Sequence, residues 1–173
     1  AKAKTASAKP KAAAKPKATP EDKPIPDAPR RALPKDDAER IARIDEALKF
    51  LEAQQKDGRF GFDADSDAGV TGITLTAVMR ISEELGRPHP AYVAPGLAWL
   101  ASLQKEDGGI YEHGLKNYIT SVAIEALATS KDPQFRPSID KAVAFLELTQ
   151  LDEGEGYSAE EDNYYGGFGY GSA

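Results

Sequence analysis

The chain has 173 residues, 22 Lys/Arg against 28 Asp/Glu, 40% apolar side chains and no cysteine. That length allows one domain plus a tail. The lack of cysteine excludes disulfides, thiol nucleophiles and Cys-based zinc sites, and no apolar run approaches the ~20 residues that span a bilayer.

Residues 1–34 carry nine Lys/Arg and three Asp/Glu, a net +6, whereas the remainder carries 13 basic and 25 acidic side chains, a net −12. An acidic folded part argues against nucleic acid, whose phosphates need a basic surface. Residues 1–35 are mostly Ala, Lys and Pro. They offer too little apolar surface to offset their ordering entropy, so they read as a disordered basic spacer. The spacer serves either as a solubilising tether or as an arm for an anionic surface. A spacer beginning at Ala1 suits an exported protein, periplasmic or extracellular, whose leader has been removed; the alternative is a cytoplasmic one.

From residue 36 to 173 the pattern is that of a helical repeat. The first helix, 37–55, ends in Phe50-Leu-Glu-Ala-Gln-Gln55-Lys-Asp-Gly58-Arg-Phe60. Ile44, Leu48 and Leu51 form its apolar stripe, with Ala47 as a small position beside it. Asp63-Ala-Asp65-Ser-Asp67 follows. The triplet reads as a solvated or helix-capping loop, near the positive end of the next helix. It also imitates the start of a calcium loop, or an acidic catalytic motif. Against calcium, Ala68 stands where the Gly is required and Thr74 where the bidentate Glu is.

The second helix, 69–86, carries Val70, Ile73, Ala77, Val78 and Ile81. The third, 92–105, sets Val93, Gly96, Leu97, Trp99 and Leu100 in register with the first. It ends in Gln104-Lys-Glu-Asp-Gly108-Gly109-Ile-Tyr111. Pro95 then falls in its first turn, where an N–H has no helical partner to lose. His113 follows Tyr111 on the loop. It reads as a surface histidine or as a base oriented by a carboxylate.

The fourth helix, 116–129, holds a single charge among its central residues, Glu125, so it is expected to be enclosed. Ile73 aligns on Ile119 and Ala77 on Ala123 at a 46-residue offset. The fifth helix, 138–150, starts at Ser138 as N-cap and ends in Gln150-Leu-Asp-Glu-Gly154-Glu-Gly156-Tyr157. Six carboxylates between Asp152 and Asp162 form a solvated acidic loop or a site for a cation. Tyr164, Tyr165 and the Gly166-Gly167-Phe168-Gly169 turn close the sequence.

The glutamines lie 49 and then 46 residues apart, a spacing that marks a repeat. Helix, Gln, acidic turn, Gly and aromatic, followed by an Ala-rich helix, resembles the repeat of the terpenoid cyclase and protein prenyltransferase superfamily. That group includes squalene cyclases and prenyltransferase β subunits. The residues that carry the likeness are Leu51/Gln55/Gly58/Phe60, Leu100/Gln104/Gly109/Tyr111 and Leu146/Gln150/Gly156/Tyr157, with Phe or Tyr where the cyclases have Trp. The resemblance implies an all-α fold, here a partial α/α toroid of about three helix pairs, outer and inner. It implies a central cavity for an isoprenoid or other apolar ligand.

The cyclase DxDD acid and the prenyltransferase zinc set are not in this sequence. No catalytic residue and no cofactor is therefore assigned. Metal candidates are limited to Asp63, Asp65 and Asp67. Cavity or mouth candidates are His113, Tyr111, Tyr164, Tyr165 and Phe168. Gln55, Gln104, Gln150, Gly58, Gly109, Gly156 and Trp99 are repeat-motif residues. The expected function is binding or scaffolding; the alternative is the N-terminal part of a cyclase or prenyltransferase with catalytic residues beyond position 173. An outer helix without an inner partner leaves its stripe bare, so missing repeats or a second chain are expected to cover the C-terminal edge.

Overall fold

A computed structural model describes residues 36–62, 67–154 and 156–170. The basic tail, 1–35, and the candidates Asp63 and Asp65 lie outside the described residues. The described residues form an all-α protein: α1 (Asp37–Gln54), α2 (Ala68–Glu84), α3 (Val93–Ser102), α4 (Lys116–Thr129) and α5 (Arg136–Glu147), with one 3-10 turn, Pro133–Phe135. Among them no helix is long and apolar enough to cross a membrane.

α2 packs chiefly on α4, with α3 across the pair and α5 on α4. Leu75, Val78 and Met79 of α2 meet Leu97 and Leu100 of α3, with Ala123, Ala126 and Leu127 of α4, in a closed core. α1 is different. None of its residues is buried. Leu48 and Leu51 lie partly covered against the core, and Phe50 between them is 63% exposed. Arg40 pairs with Glu84 at 3.0 Å and Asp45 pairs with Arg87, joining α1 to the end of α2 and the segment after it.

Three backbone turns set the helix spacing, and each is closed by a glutamine. In the first, Asp57 and Gly58 both have positive φ (52° and 77°). The Lys56 and Arg59 N–H groups donate to each other's carbonyls at 3.0 Å, the pattern of a two-residue type I′ hairpin. In the second, the Gly108 N–H donates to Lys105 O at 3.0 Å and the Lys105 N–H to Gly109 O at 2.8 Å. This turn is one residue longer, with Gly108 at φ 92° as the bulge residue. In the third, the Gly166 N–H donates to Leu151 O and the Leu151 N–H to Gly167 O. Gly156 therefore does not close the third turn, as the spacing implied. Residues 152–154 and 156–165 bulge out, and Gly166-Gly167-Phe168 takes the expected place.

The glutamine side chains clamp these turns. Gln55 Oε1 accepts from the Gly58 N–H at 2.8 Å. Gln150 Nε2 donates to Gly166 O at 2.9 Å. Gln104 Nε2 donates to both Gly108 O and Ser138 O, and the Ser138 hydroxyl donates to Gln104 Oε1. Ser138 is thus a clamp on the preceding turn. It is not the N-cap: α5 begins two residues earlier, at Arg136, led in by the 3-10 turn and Pro137.

The turn glycines let backbones touch. A Cβ on Gly58 would sit 2.1 Å from Tyr92 O, one on Gly96 2.4 Å from Gly58 O, and one on Gly108 2.6 Å from Lys141 O. The first turn therefore seats directly on the start of α3 and the second on α5.

The inner helices are pinned by threonine. Thr71 Oγ1 accepts from the Phe60 N–H and donates to Phe60 O, both at 2.9 Å. Thr120 does the same with Ile110, at 3.1 and 3.2 Å. Two corrections follow. Phe60 corresponds to Ile110, not to Tyr111. The inner helices correspond at 49 residues, not 46: Ile73 is 51% exposed while Ile119 is buried.

Candidate functional site

α2 and α4 each bury most of their surface, yet each keeps one stripe in solvent. On α2 it is Ile73, Ala77, Arg80 and Glu84; on α4 it is Tyr118, Ser121, Glu125 and Ala128. Steps of three and four keep each stripe on one helix face. The stripes adjoin: Arg80 Nη2 donates to Glu125 Oε1 at 2.7 Å. Glycines bring the helices close enough for this. A Cβ on Gly72 would lie 2.6 Å from Val122 Cγ1, and one on Gly69 3.5 Å from the Tyr118 ring.

The result is one face with an apolar half and a charged half. Ile73, Ala77 and Tyr118 form the apolar half, and Tyr170 lies against Tyr118 with ring centroids 6.3 Å apart. The Arg80–Glu125 pair marks the charged half. An exposed ion pair of this kind contributes at most about 1 kcal/mol, so it costs a ligand little to displace. Exposed apolar side chains gathered on one face, rather than scattered, are the sign of a binding surface.

Beside this face the N-terminus of α2 is closed by two carboxylates. Asp67 Oδ1 accepts from the Val70 N–H at 2.8 Å and Glu112 Oε2 from the Ala68 N–H at 3.1 Å. Asp67 thus serves as the N-cap, the capping reading of the acidic triplet. Among the described residues no three His, Asp or Glu come together as metal ligands. α4 is preceded by Leu115 at its N-cap, with φ 40° and no side-chain hydrogen bond to the helix. Asn117, 4% exposed, donates from Nδ2 to Gly169 O at 2.9 Å.

The other sequence candidates scatter. Tyr111 is buried beneath α5, its ring 5.9 Å from that of Phe145, and lines no exposed face. Its hydroxyl donates to Asp107 Oδ2 at 2.6 Å. That bond, then burial, pushes its pKa up to about 12, so it stays a neutral donor. His113 is exposed on the loop before α4. Trp99 is half-buried on α3 with the Arg59 guanidinium 5.8 Å over its ring. Tyr164 and Phe168 are exposed.

Tyr165 donates to Glu153 Oε1 at 2.8 Å, and this bond raises its pKa. In the acidic loop, Asp152 accepts from the Gly154 N–H and Asp162 from the Ser158 N–H, so these carboxylates hold their own backbone. Of the face residues, Ile73 was noted only as apolar. Ser121 and Tyr118 were missed. Their signal is an exposed i, i+3, i+7 stripe on an otherwise apolar helix.

A comparison with protein-family models, with curated proteins and with solved structures finds no match to this chain.

Proposed function

We propose that this chain is a prenyltransferase- and squalene-cyclase-like helical repeat that binds or scaffolds, with the α2/α4 face as one wall of an α/α toroid. The ligand of that wall is an isoprenoid or a similar apolar molecule. The observation that supports it most is Ile73 and Tyr118 standing exposed on α2 and α4, whose other large apolar side chains are buried or half-buried. Covering one such side chain contributes roughly 1.5–3 kcal/mol, enough for a face of three or four to hold a lipid chain. Intrinsic fluorescence, titrated with farnesyl diphosphate and with a squalene-like lipid, tests this. A saturable response that weakens about ten-fold in Ile73→Lys is expected. A folded sample that responds to neither removes the isoprenoid reading.

One observation favours the second reading, the N-terminal part of a cyclase or prenyltransferase. Lys131 Nζ reaches both carboxylate oxygens of Glu83, at 2.9 and 3.0 Å, from the next unit. Asp132 stands 49 residues after Glu83. It borders a cleft of about 400 Å³ between α4 and α5, whose walls include Leu127 and Ile139. A further inner helix seated there would repeat the α2–α4 contact. A longer reading frame with a DxDD acid or a His/Cys zinc set would favour this version; a longer frame with neither would remove it.

A further inference from the structure

We propose that the cleft between α1 and the Arg87–Tyr92 segment binds a small zwitterion of the amino-acid class. This site is separate from the α2/α4 face and rests on different residues.

The cleft holds about 210 Å³. At ~30 Å³ per water that is roughly seven water volumes, room for a molecule of about six to eight non-hydrogen atoms. Its floor is Tyr92, only 7% exposed, whose ring packs edge-on to Phe60 at 5.9 Å. The hydroxyl of Tyr92 is buried and has no hydrogen-bond partner. A buried hydroxyl left unpaired costs about 1–3 kcal/mol. The ring alone would satisfy the packing, so the oxygen calls for a partner in the cleft.

The charges around that oxygen form a dipole. α1 contributes Asp45, Lys49 and Glu52 to the lining, and Arg87 faces them. At one end Asp45 is bonded to Arg87, with Lys49 close enough to add its own field: Arg87 first, and Lys49 after it, hold the Asp45 carboxyl below its usual range. Two cations to one anion leave that end positive. At the other end Glu52 faces the Tyr92 hydroxyl, which burial and then the Glu52 charge keep protonated. Among the described residues neither Lys49 nor Glu52 forms a side-chain hydrogen bond or ion pair. Leu48 and Pro90 supply the apolar walls between the two ends.

A ligand carboxylate fits the Lys49 end. A ligand ammonium fits the Glu52 end, where it donates both to the Glu52 carboxylate and to the phenol oxygen. A lone anion or a lone cation satisfies only one end.

Isothermal titration of the full chain with alanine and with proline tests the site. Acetate and methylammonium serve as half-ligands, and glycine betaine as a zwitterion without N–H donors. Saturable binding of alanine or proline is expected, at least ten-fold weaker for each half-ligand and for betaine. Tyr92→Phe, which keeps the ring on Phe60, is expected to weaken binding about ten-fold, and Glu52→Gln to abolish it. Glu106→Gln, far from the cleft in sequence and on the second turn, is expected to change nothing. Circular dichroism checks that each variant keeps its helices. No saturable binding of either amino acid would overturn the proposal. So would acetate binding as well as alanine, or affinities unmoved in both Tyr92→Phe and Glu52→Gln.

Discussion

At the scale of single residues, the strongest constraints are the backbone contacts of the turns. Gly58 has φ 77° and faces Tyr92 O and Gly96 N. Alanine there meets both a disfavoured conformation and a backbone wall, so Gly58→Ala is expected to cost about 2–4 kcal/mol in urea unfolding. Gly86→Ala has a positive φ but open space around it, and is expected to cost about 1 kcal/mol. Thr120→Val keeps the shape but strips the buried Ile110 N–H and C=O of their partner. An expected loss of about 2–3 kcal/mol follows, against under about 1 kcal/mol for Gln150→Ala, whose single bond is exposed.

Tyr111 supplies a pH test. Its pKa is about 12 in the folded chain, against the ordinary tyrosine value of 10.0 when unfolded. The raised value stabilises the fold fully below pH 10, and that contribution is lost as pH climbs from about 10 to about 12. Ultraviolet titration is expected to show Tyr111 ionising well after the exposed tyrosines, with Tyr92 and Tyr165 also delayed. Asp107→Asn is expected to bring Tyr111 forward.

At the scale of elements, the glutamine turns were legible because three copies stand in the sequence at near-constant spacing. Their lengths were not. One residue more in the Lys105–Gly109 turn puts the post-turn residue at Ile110, six after its glutamine where Phe60 is five after Gln55, and matching aromatic to aromatic overshoots it to Tyr111. Gly156 and Gly166 both sit in glycine-and-aromatic settings that only backbone pairing separates. The inner-helix register failed for a geometric reason. A slip of three residues rotates a helix by only about 60° short of a full turn, so an Ala/Ile/Val stripe nearly overlays itself. The paired threonines, each 16 residues after its glutamine, carried the true register.

α1 shows a related limit. Its heptad-like stripe matches that of α3 and α5, but the sequence does not reveal how little of it is covered. With no buried residue, α1 is expected to exchange its amide hydrogens much faster than α2 and α4. Its exchange is expected to quicken further in high salt, where the Arg40–Glu84 and Asp45–Arg87 pairs are screened. Equal protection in all five helices would show that α1 is held by more than these contacts.

At the scale of the whole molecule, composition predicted enclosed inner helices and charged outer ones. α2 and α4 bury the most residues and α1 buries none, but α3 carries no charged side chain at all. The exposed α2/α4 face was not legible, because Ile73 and Tyr118 look like core residues until the helices are placed. The isoprenoid proposal depends on that face being a ligand wall. Amide chemical-shift mapping with farnesol tests it most directly. The account predicts saturable shifts concentrated at Ile73, Ala77, Tyr118 and Ser121, with α3 and α5 still. Shifts spread evenly over the helices, or confined to the α4/α5 cleft, would contradict it.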